Sequence, residues 1–273
     1  MILGHEGYSY PKGEPGAGVL RNLKGITSHE ELNKEEAFYS LERRATLADA
    51  VGDFRPSLDS LKDIHKHLFQ DIYEWAGVTR AETARIDGQD VRYPPDFVMT
   101  KPNVEFGETR MITDYLPGEL DKSRATLDAA YASGALEKAA WADETAKQVG
   151  LINEAHPFRE GNGRTMRAYI ELSAERYGFQ VKTSEFAINE WMQTSNEARW
   201  EKKHQPLARL IDRFAVTADL AQETPGALIL KDVESIRDPA RQEAARSIIS
   251  KISERYVDRQ ARPEEKQDPD LER

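Results

Sequence analysis

The residues from His156 to Arg167, with the sequence HPFREGNGRTMR, combine the side chains in this chain that are best suited to chemistry. Pro157 disfavours helix at its own position and at the residue before it. Gly161 and Gly163 allow the backbone to turn sharply and to approach a ligand closely. After the second glycine, apolar residues recur at one-turn spacing until Gly178, which is typical of a helix and its end. The stretch therefore predicts a helix, an irregular loop and a second helix.

The residue types in this loop predict phosphate chemistry. A helix N-terminus offers N–H groups and a positive dipole end, and Arg164 and Arg167 share one face of its first turn. Glu160 is suited to a divalent cation shared with a phosphate, and His156 can exchange a proton near neutral pH. Each residue alone has a simpler explanation, such as a loop histidine, a solvated arginine face or Phe158 as a core anchor. Together they predict a phosphoryl- or nucleotidyl-transfer site.

The stretch resembles the signature of the Fic family, H-P-F-x-(D/E)-G-N-G-R-x-x-R, at every specified position. The resemblance implies an all-α fold, a Fic-type helical bundle with a small β-hairpin flap. It also implies transfer of AMP from ATP to a Tyr, Ser or Thr hydroxyl of a target protein, with Mg²⁺. His156 would be the general base and Glu160 the Mg²⁺ ligand. The implied nucleotide-binding residues are Phe158, Gly161, Asn162, Gly163, Arg164 and Arg167.

Within this implied site, Asn162 and the backbone from Gly161 to Gly163 would face the α-phosphate. Arg164 and Arg167 would bind the β- and γ-phosphates. Fic-like enzymes that phosphorylate typically carry Lys where this chain has Gly163 and lack the last arginine, so the residues here favour AMP transfer. Transfer from another nucleotide, as UMP or phosphoryl transfer, and a non-catalytic Fic-fold binding module remain the alternatives.

The composition excludes several classes of function. The chain has 273 residues, of which 39% are hydrophobic and 32% charged, and its formal net charge is −10. Non-specific binding to the phosphates of nucleic acid needs a basic surface, so we expect no direct nucleic-acid binding. The chain has no cysteine, and no apolar run reaches the ~18 residues of a membrane span. With no signal-peptide pattern, we expect a cytoplasmic protein, in the bacterium or in a host cell after export.

The sequence suggests four segments. Residues 1–26 form a Gly-, Pro- and Tyr-rich arm that resembles the lead-in of Fic toxins and type IV secretion effectors, and we expect it to pack on the core. Residues 27–225 form the Fic domain, with the resemblance covering about residues 8–215. Residues 226–257 predict a C-terminal helical extension, and residues 258–273 a disordered charged tail.

Several helices can be predicted individually. Ser28 is expected to cap a helix that runs through Leu47. A second helix is expected to open at Ser57, with an apolar stripe reaching Trp75 and a stop at Gly77. Residues 98–155 are expected to be helical with breaks near Pro102, at 117–118 and near Gly134, and the stretches 184–196 and 207–214 are expected to be helical as well. Two histidines, at positions 65 and 67, point apart on a helix and are expected to be structural or exposed.

An Asp-Gly pair between short β-forming stretches predicts a two-residue hairpin, ended by two prolines. In the Fic family the corresponding element is a flap beside the active site, whose edge pairs with an extended target segment. The expected target-docking residues are Ile86, Asp87, Gly88, Gln89, Asp90 and Val91.

The chain lacks the motif (S/T)-x-x-x-E-(G/N) of the inhibitory helix that holds many Fic enzymes inactive. The near misses, Thr27 to Glu31 and Ser250 to Glu254, are followed by the wrong residues. The resemblance therefore implies a separate small antitoxin whose Glu pairs with Arg167. Whether the protein is a toxin in its own cell or an exported effector stays open, as does the identity of its target.

Overall fold

The computed structural model describes residues 2–101, 104–200 and 203–217, together with positions 243 and 246. Helices dominate this part of the chain, which confirms the all-α class. Their bounds are α1 His29–Arg44, α2 Leu47–Val51, α3 Leu58–Phe69, α4 Met111–Asp114, α5 Leu116–Ala132, α6 Lys138–Ala155, α7 Asn162–Arg176, α8 Ile188–Glu197 and α9 Gln205–Phe214. Short 3-10 turns at His5–Tyr8 and Thr183–Glu185 complete the helical elements.

Helix α6 lies at the centre of the bundle and packs against α5, α7, α8 and α9. Its buried residues include Trp141, Val149 and Ile152, which are at most 1% exposed. On the far side of α7, helix α3 packs against α1 and α7. The central position of α6 and α7 means that the loop joining them is held by rigid elements on both sides.

Serine side chains start two of the helices, as predicted. Ser28 accepts a hydrogen bond from the N–H of Glu31 at 3.4 Å, and Ser57 accepts one from the N–H of Ser60 at 3.1 Å. Such caps satisfy backbone donors that have no partner within the helix.

Two predicted helices end earlier than the sequence suggested. The first ends at Arg44, and Leu47 begins the separate helix α2. Helix α3 ends at Phe69, so Trp75 is buried in the turns that follow and not on the helical stripe. Gly77 has a φ of 83°, which suits a turn and explains why the stop signal was still informative.

The hairpin predicted at Asp87 and Gly88 is confirmed. Strand β2, Ala84–Ile86, pairs antiparallel with β3, Gln89–Val91, and β1, Ile2–Leu3, pairs in parallel with β3. Positive φ angles of 48° and 73° at the two turn residues are those that a two-residue turn requires. The N-terminal arm therefore joins this sheet, and its Tyr8 is 1% exposed in the core.

A second hairpin corrects the helical prediction for residues 98–155. Strands β4, Val98–Lys101, and β5, Val104–Glu108, pair antiparallel before α4 begins. Two further strands, β6 Phe179–Val181 and β7 Ala215–Thr217, also pair. Helix α8 begins at Ile188 and not near residue 184.

The predicted C-terminal extension and tail, residues 226–257 and 258–273, lie outside the described residues apart from two isolated positions. None of the helices in the described part of the chain combines the length and hydropathy of a bilayer span.

Candidate active site

The loop begins where α6 ends, at a histidine with unusual backbone geometry. His156 has φ 44° and ψ 60°, in the left-handed region, and its N–H donates to the carbonyl of Ile152 at 2.9 Å. For a residue other than glycine this conformation costs about 1–2 kcal/mol, so neighbouring contacts must hold it. Arg80 provides them: its guanidinium donates to the carbonyls of Ala155 and His156, both at 2.8 Å. The backbone N–H of Arg80 donates to the carbonyl of Pro157 at 2.7 Å.

The imidazole of His156 is poised as a free base. Its ring lies 3.8 Å from the ring of Phe106 on β5, and the residue is only 5% exposed. Neither ring nitrogen makes a hydrogen bond of good geometry within the described residues, although the Asn153 carbonyl lies near enough to the ring to favour its charged form. Burial, followed by the charges of Lys101 and Arg80, lowers the pKa of His156 well below 6.5, and the carbonyl of Asn153 opposes this shift only in part. The imidazole is therefore neutral at pH 7 and can accept a proton.

Asn162 closes the loop on itself. Its Oδ1 accepts the N–H of Phe158 at 3.0 Å, and its Nδ2 donates to the Phe158 carbonyl at 2.7 Å. Both residues are buried. Asn162 is also the first residue of α7, so its backbone N–H is among the groups that an anion at this helix end would meet.

Only glycine fits at position 161. Gly161 has a φ of 84°, and a Cβ there would lie 2.5 Å from the ring of Phe69. At Gly163 a Cβ would meet nothing within 4 Å, so the first turn of α7 opens onto free space. No side chain among the described residues caps this helix N-terminus. Its first N–H groups could therefore bind an anion, and the anion site stays a prediction.

His65, on α3, contacts the loop through a hydrogen bond and a stacked ring. Its Nδ1 accepts the N–H of Gly77 at 2.8 Å, so its Nε2 carries the proton and donates to the carbonyl of Glu160 at 3.0 Å. The centre of its ring lies 3.9 Å from that of Phe158, in a stacked arrangement, 4.7 Å from that of Phe69 and 5.8 Å from that of Trp75. Burial lowers the pKa of His65 to about 3. The structural role expected for this histidine is thus specified by its contacts.

Glu160 is an ionised carboxylate with one oxygen facing a cation. Its Oε1 accepts the N–H of Gly161 at 3.0 Å, and its Oε2 lies 3.4 Å from the Nζ of Lys101. Burial raises its pKa, but the charge of Lys101, the Gly161 N–H and Arg164 together bring the pKa below its ordinary value. A hard, charged oxygen of this kind suits Mg²⁺. Among the described residues there is no group of three or more His, Asp or Glu that could hold a metal by itself.

Arg164 is held by helix α1. It donates to Oε2 of the buried Glu36 at 2.8 Å and to Oγ of Ser40 at 3.3 Å, and its guanidinium lies 4.8 Å from the ring centre of Phe69. A guanidinium has five N–H donors, so these contacts orient it without using it fully. Arg167 lies one turn further along α7 and is partly buried.

The structure places a different hairpin against the site from the one that was predicted. Residues 86–91 form the β2–β3 turn, whose Asp87 contacts Arg21 by its carboxylate and Glu74 by its N–H. Phe106 and Lys101, which contact His156 and Glu160, belong to β4–β5. In the described part of the chain the contacts to His156 and Glu160 come from the second hairpin, and target docking on residues 86–91 stays a prediction.

Sequence reasoning missed the residues that support the loop from other elements. They are Glu36, Arg80, Lys101 and Phe106. Arg80 carried no signal of spacing or motif, and residues 98–108 were expected to be helical. Each contact joins positions far apart in the chain, so no local pattern marks it.

The fold and this loop define a class: a helical bundle in which a buried histidine precedes an uncapped helix N-terminus. A sequence profile of the Fic/DOC family matches residues 55–174. The protein named "Probable protein adenylyltransferase y4lH" from Sinorhizobium fredii is 32% identical over 172 residues, which cover 62% of this chain and 78% of that protein. The chain belongs to the Fic/DOC family.

Two Bartonella proteins extend the comparison. The protein adenylyltransferase VbhT of Bartonella schoenbuchensis is 30% identical over 194 residues, and the match covers 71% of this chain but 37% of the length of VbhT. The ADP-bound crystal structure of the N-terminal Fic domain of a VirB-translocated effector from Bartonella quintana has 25% identity and a TM-score of 0.64, covering 78% of this chain and 95% of that one. The family named by the sequence resemblance is thus confirmed.

Proposed function

We propose that this protein is a Mg²⁺-dependent protein adenylyltransferase that transfers AMP from ATP to a Tyr, Ser or Thr hydroxyl of a target protein. One observation supports this function above the others: a buried, neutral imidazole lies at the end of the loop that leads into the open N-terminus of α7. A base and an anion site are the two parts that nucleotidyl transfer to a hydroxyl needs.

His156 is proposed to take the proton of the target hydroxyl. The hydroxyl oxygen attacks the α-phosphorus of ATP, the bond from that phosphorus to the bridging oxygen breaks, and pyrophosphate leaves. General-base assistance contributes about 10²–10⁴-fold to such a step. The larger share is expected from the amide groups of α7 and from Arg164 and Arg167, which bind the negative charge of the phosphates.

Glu160 is the residue that would hold Mg²⁺. With a single carboxylate offered, the remaining ligands would be phosphate oxygens and water, as is usual for this ion. Bound there, the metal would neutralise phosphate charge. The contact of the Lys101 ammonium with this carboxylate supports the proposal of a cation at this position.

The target segment is proposed to dock on the hairpin β4–β5. This hairpin is a two-stranded sheet in the described part of the chain, and Val98 is 39% exposed. An extended segment that pairs with its edge would be carried towards His156, because β5 packs against α6 and Phe106 touches the imidazole. Main-chain pairing fixes the register of a target hydroxyl without demanding a particular sequence.

Regulation is proposed to come from a separate small antitoxin that supplies a Glu to Arg167. This ion pair would remove the arginine from the γ-phosphate and would be worth about 1.5–3 kcal/mol per hydrogen bond. The near-miss residue Glu31 is exposed in the first turn of α1. The protein is accordingly proposed to be a bacterial toxin or a secreted effector.

The test uses the purified chain with lysate and with ATP labelled at either the α- or the γ-phosphate. We expect protein labelling from the α-label and none from the γ-label, and none from labelled UTP. His156→Ala should abolish labelling, whereas His29→Ala, at an exposed position in α1, should not. Labelling from the γ-phosphate or from UTP would establish the other nucleotide chemistries, and no labelling at all would favour a binding module. Mass spectrometry of the labelled bands identifies the target and its acceptor residue.

A further inference from the structure

Arg80 is a buried cation without a carboxylate partner among the described residues. Its side chain is fully buried, and its donors reach carbonyl oxygens and one hydroxyl. Burial lowers its pKa to about 10, so it stays charged at neutral pH. An unpaired buried charge is strongly unfavourable unless its surroundings offset it. Here the C-terminal carbonyls of α6 do so, since they form the negative end of the helix dipole.

The hydrogen bonds of Arg80 join two parts of the site. On the loop side they fix the carbonyls of Ala155 and His156, the two residues at which α6 turns into the loop. On the hairpin side Nη1 donates to Oγ1 of Thr109 at 3.2 Å, and Nη2 makes a longer contact with the Gly107 carbonyl at 3.4 Å. One guanidinium therefore holds both the backbone of the histidine and the strand next to it.

The position of the His156 ring depends on these two parts. In many enzymes a carboxylate orients the catalytic histidine through a ring nitrogen. Here neither nitrogen has such a partner in the described part of the chain. The ring is instead fixed by its left-handed backbone and by stacking on Phe106, which precedes Gly107 in β5. Arg80 binds the backbone on one side and the strand on the other.

We propose that Arg80 is the positioning residue of the transfer reaction, because it holds the His156 backbone and the Phe106 strand in the one arrangement that aims the imidazole. This inference rests on the proposed function for its kinetic consequence. The charge of Arg80 has a second effect in the same direction, since it helps to keep His156 deprotonated.

The kinetic test compares Arg80→Met and Arg80→Lys with wild type. A displacement of the base by about 1 Å lowers a rate by about 10²-fold, so we expect kcat for AMP transfer from α-labelled ATP to fall by about that factor in Arg80→Met. The KM for ATP should change by less than about threefold, since Arg80 is not among the phosphate-binding residues. Arg80→Lys keeps the positive charge but loses the planar set of N–H donors, so its kcat should lie between those of wild type and Arg80→Met.

The control is Arg176→Met. Arg176 also joins a carbonyl, that of Phe54, to acidic side chains, but it lies at the other end of α7. Its loss should lower the unfolding temperature without changing kcat. If Arg80→Met and Arg80→Lys lose stability as this control does yet keep the wild-type kcat, the positioning role is wrong.

A second measurement does not depend on AMP transfer. In NMR spectra of the histidine ring protons, the His156 signal, assigned by its loss in His156→Gln, should show no titration in wild type where an ordinary histidine titrates. In Arg80→Met and Arg80→Lys it should shift, and in Arg80→Met it should also titrate at higher pH. An unchanged His156 signal would overturn the inference even if the enzyme transfers AMP. A wild-type chain that fails to transfer AMP but shows these shifts would overturn only the proposed function. Phe106→Leu should shift the same signal with Arg80 intact.

Discussion

His65→Gln should make the protein markedly less sensitive to acid. The pKa of His65 is about 3 in the folded protein and near 6.5 in the unfolded chain. Between these values the unfolded chain binds a proton that the folded protein excludes, so stability falls as pH drops from about 6.5 towards 3. The loss is RT ln(1 + 10^(6.5 − pH)), which is about 2 kcal/mol at pH 5 and about 0.2 kcal/mol at pH 7. Glutamine keeps a donor and an acceptor but does not titrate.

The assay is urea unfolding followed by tryptophan fluorescence at about pH 7 and about pH 5. Between the two conditions wild type should lose about 2 kcal/mol more unfolding free energy than His65→Gln. The acid sensitivity that His156 contributes is common to both proteins and cancels in this difference. His29→Gln changes an exposed histidine and should follow wild type. Equal losses for wild type and His65→Gln would refute the assignment of a buried neutral imidazole at position 65.

Three further substitutions test the loop. Asn162→Ala leaves the N–H and carbonyl of Phe158 buried without their partner. We expect the unfolding free energy measured in urea to fall by about 2 kcal/mol and the rate of AMP transfer to fall more than tenfold. Wild-type values for both would show that the two hydrogen bonds between Asn162 and Phe158 do not hold the loop. Gly161→Ala should lower the unfolding free energy by about 3 kcal/mol, because the alanine would be strained at a left-handed φ and its Cβ would collide with Phe69. Adding Phe69→Leu to this variant should restore only the part of the unfolding free energy that the collision removes. Full restoration would mean that the backbone strain is negligible. Glu36→Gln should lower the unfolding temperature and weaken ATP binding measured by calorimetry, because the arginine it orients becomes mobile. Tighter ATP binding would instead show that Glu36 restrains that arginine.

The local part of this structure could be predicted from the sequence. The loop from 156 to 167 and the helix after it follow from glycine, proline and apolar spacing, and Ser28 and Ser57 start helices by ordinary capping. The turn at Asp87 and Gly88 was recognisable because those two residue types tolerate positive φ. These features depend on residues within a few positions of one another.

The remaining part depends on tertiary contacts. Strands β4 and β5 carry no Asn-Gly or Asp-Gly signal, so the hairpin that contacts His156 was mistaken for helix. Arg80 meets the His156 carbonyl across 76 positions, and Glu36 meets Arg164 across 128. Such partners are chosen by how the helices pack, and a single sequence does not show that choice.

The contacts of His65 restrict which side chains fit at position 65. A flat ring suits this position, because the rings of Phe158 and Trp75 both lie in stacked arrangements with that of His65. They also demand an acceptor for the Gly77 N–H and a donor for a carbonyl in the loop, at two separate ring atoms. Phenylalanine lacks both polar groups, tryptophan has only a donor, and glutamine and asparagine have no ring. Among the twenty side chains only neutral histidine meets all three requirements, so any substitution at position 65 removes at least one of these contacts.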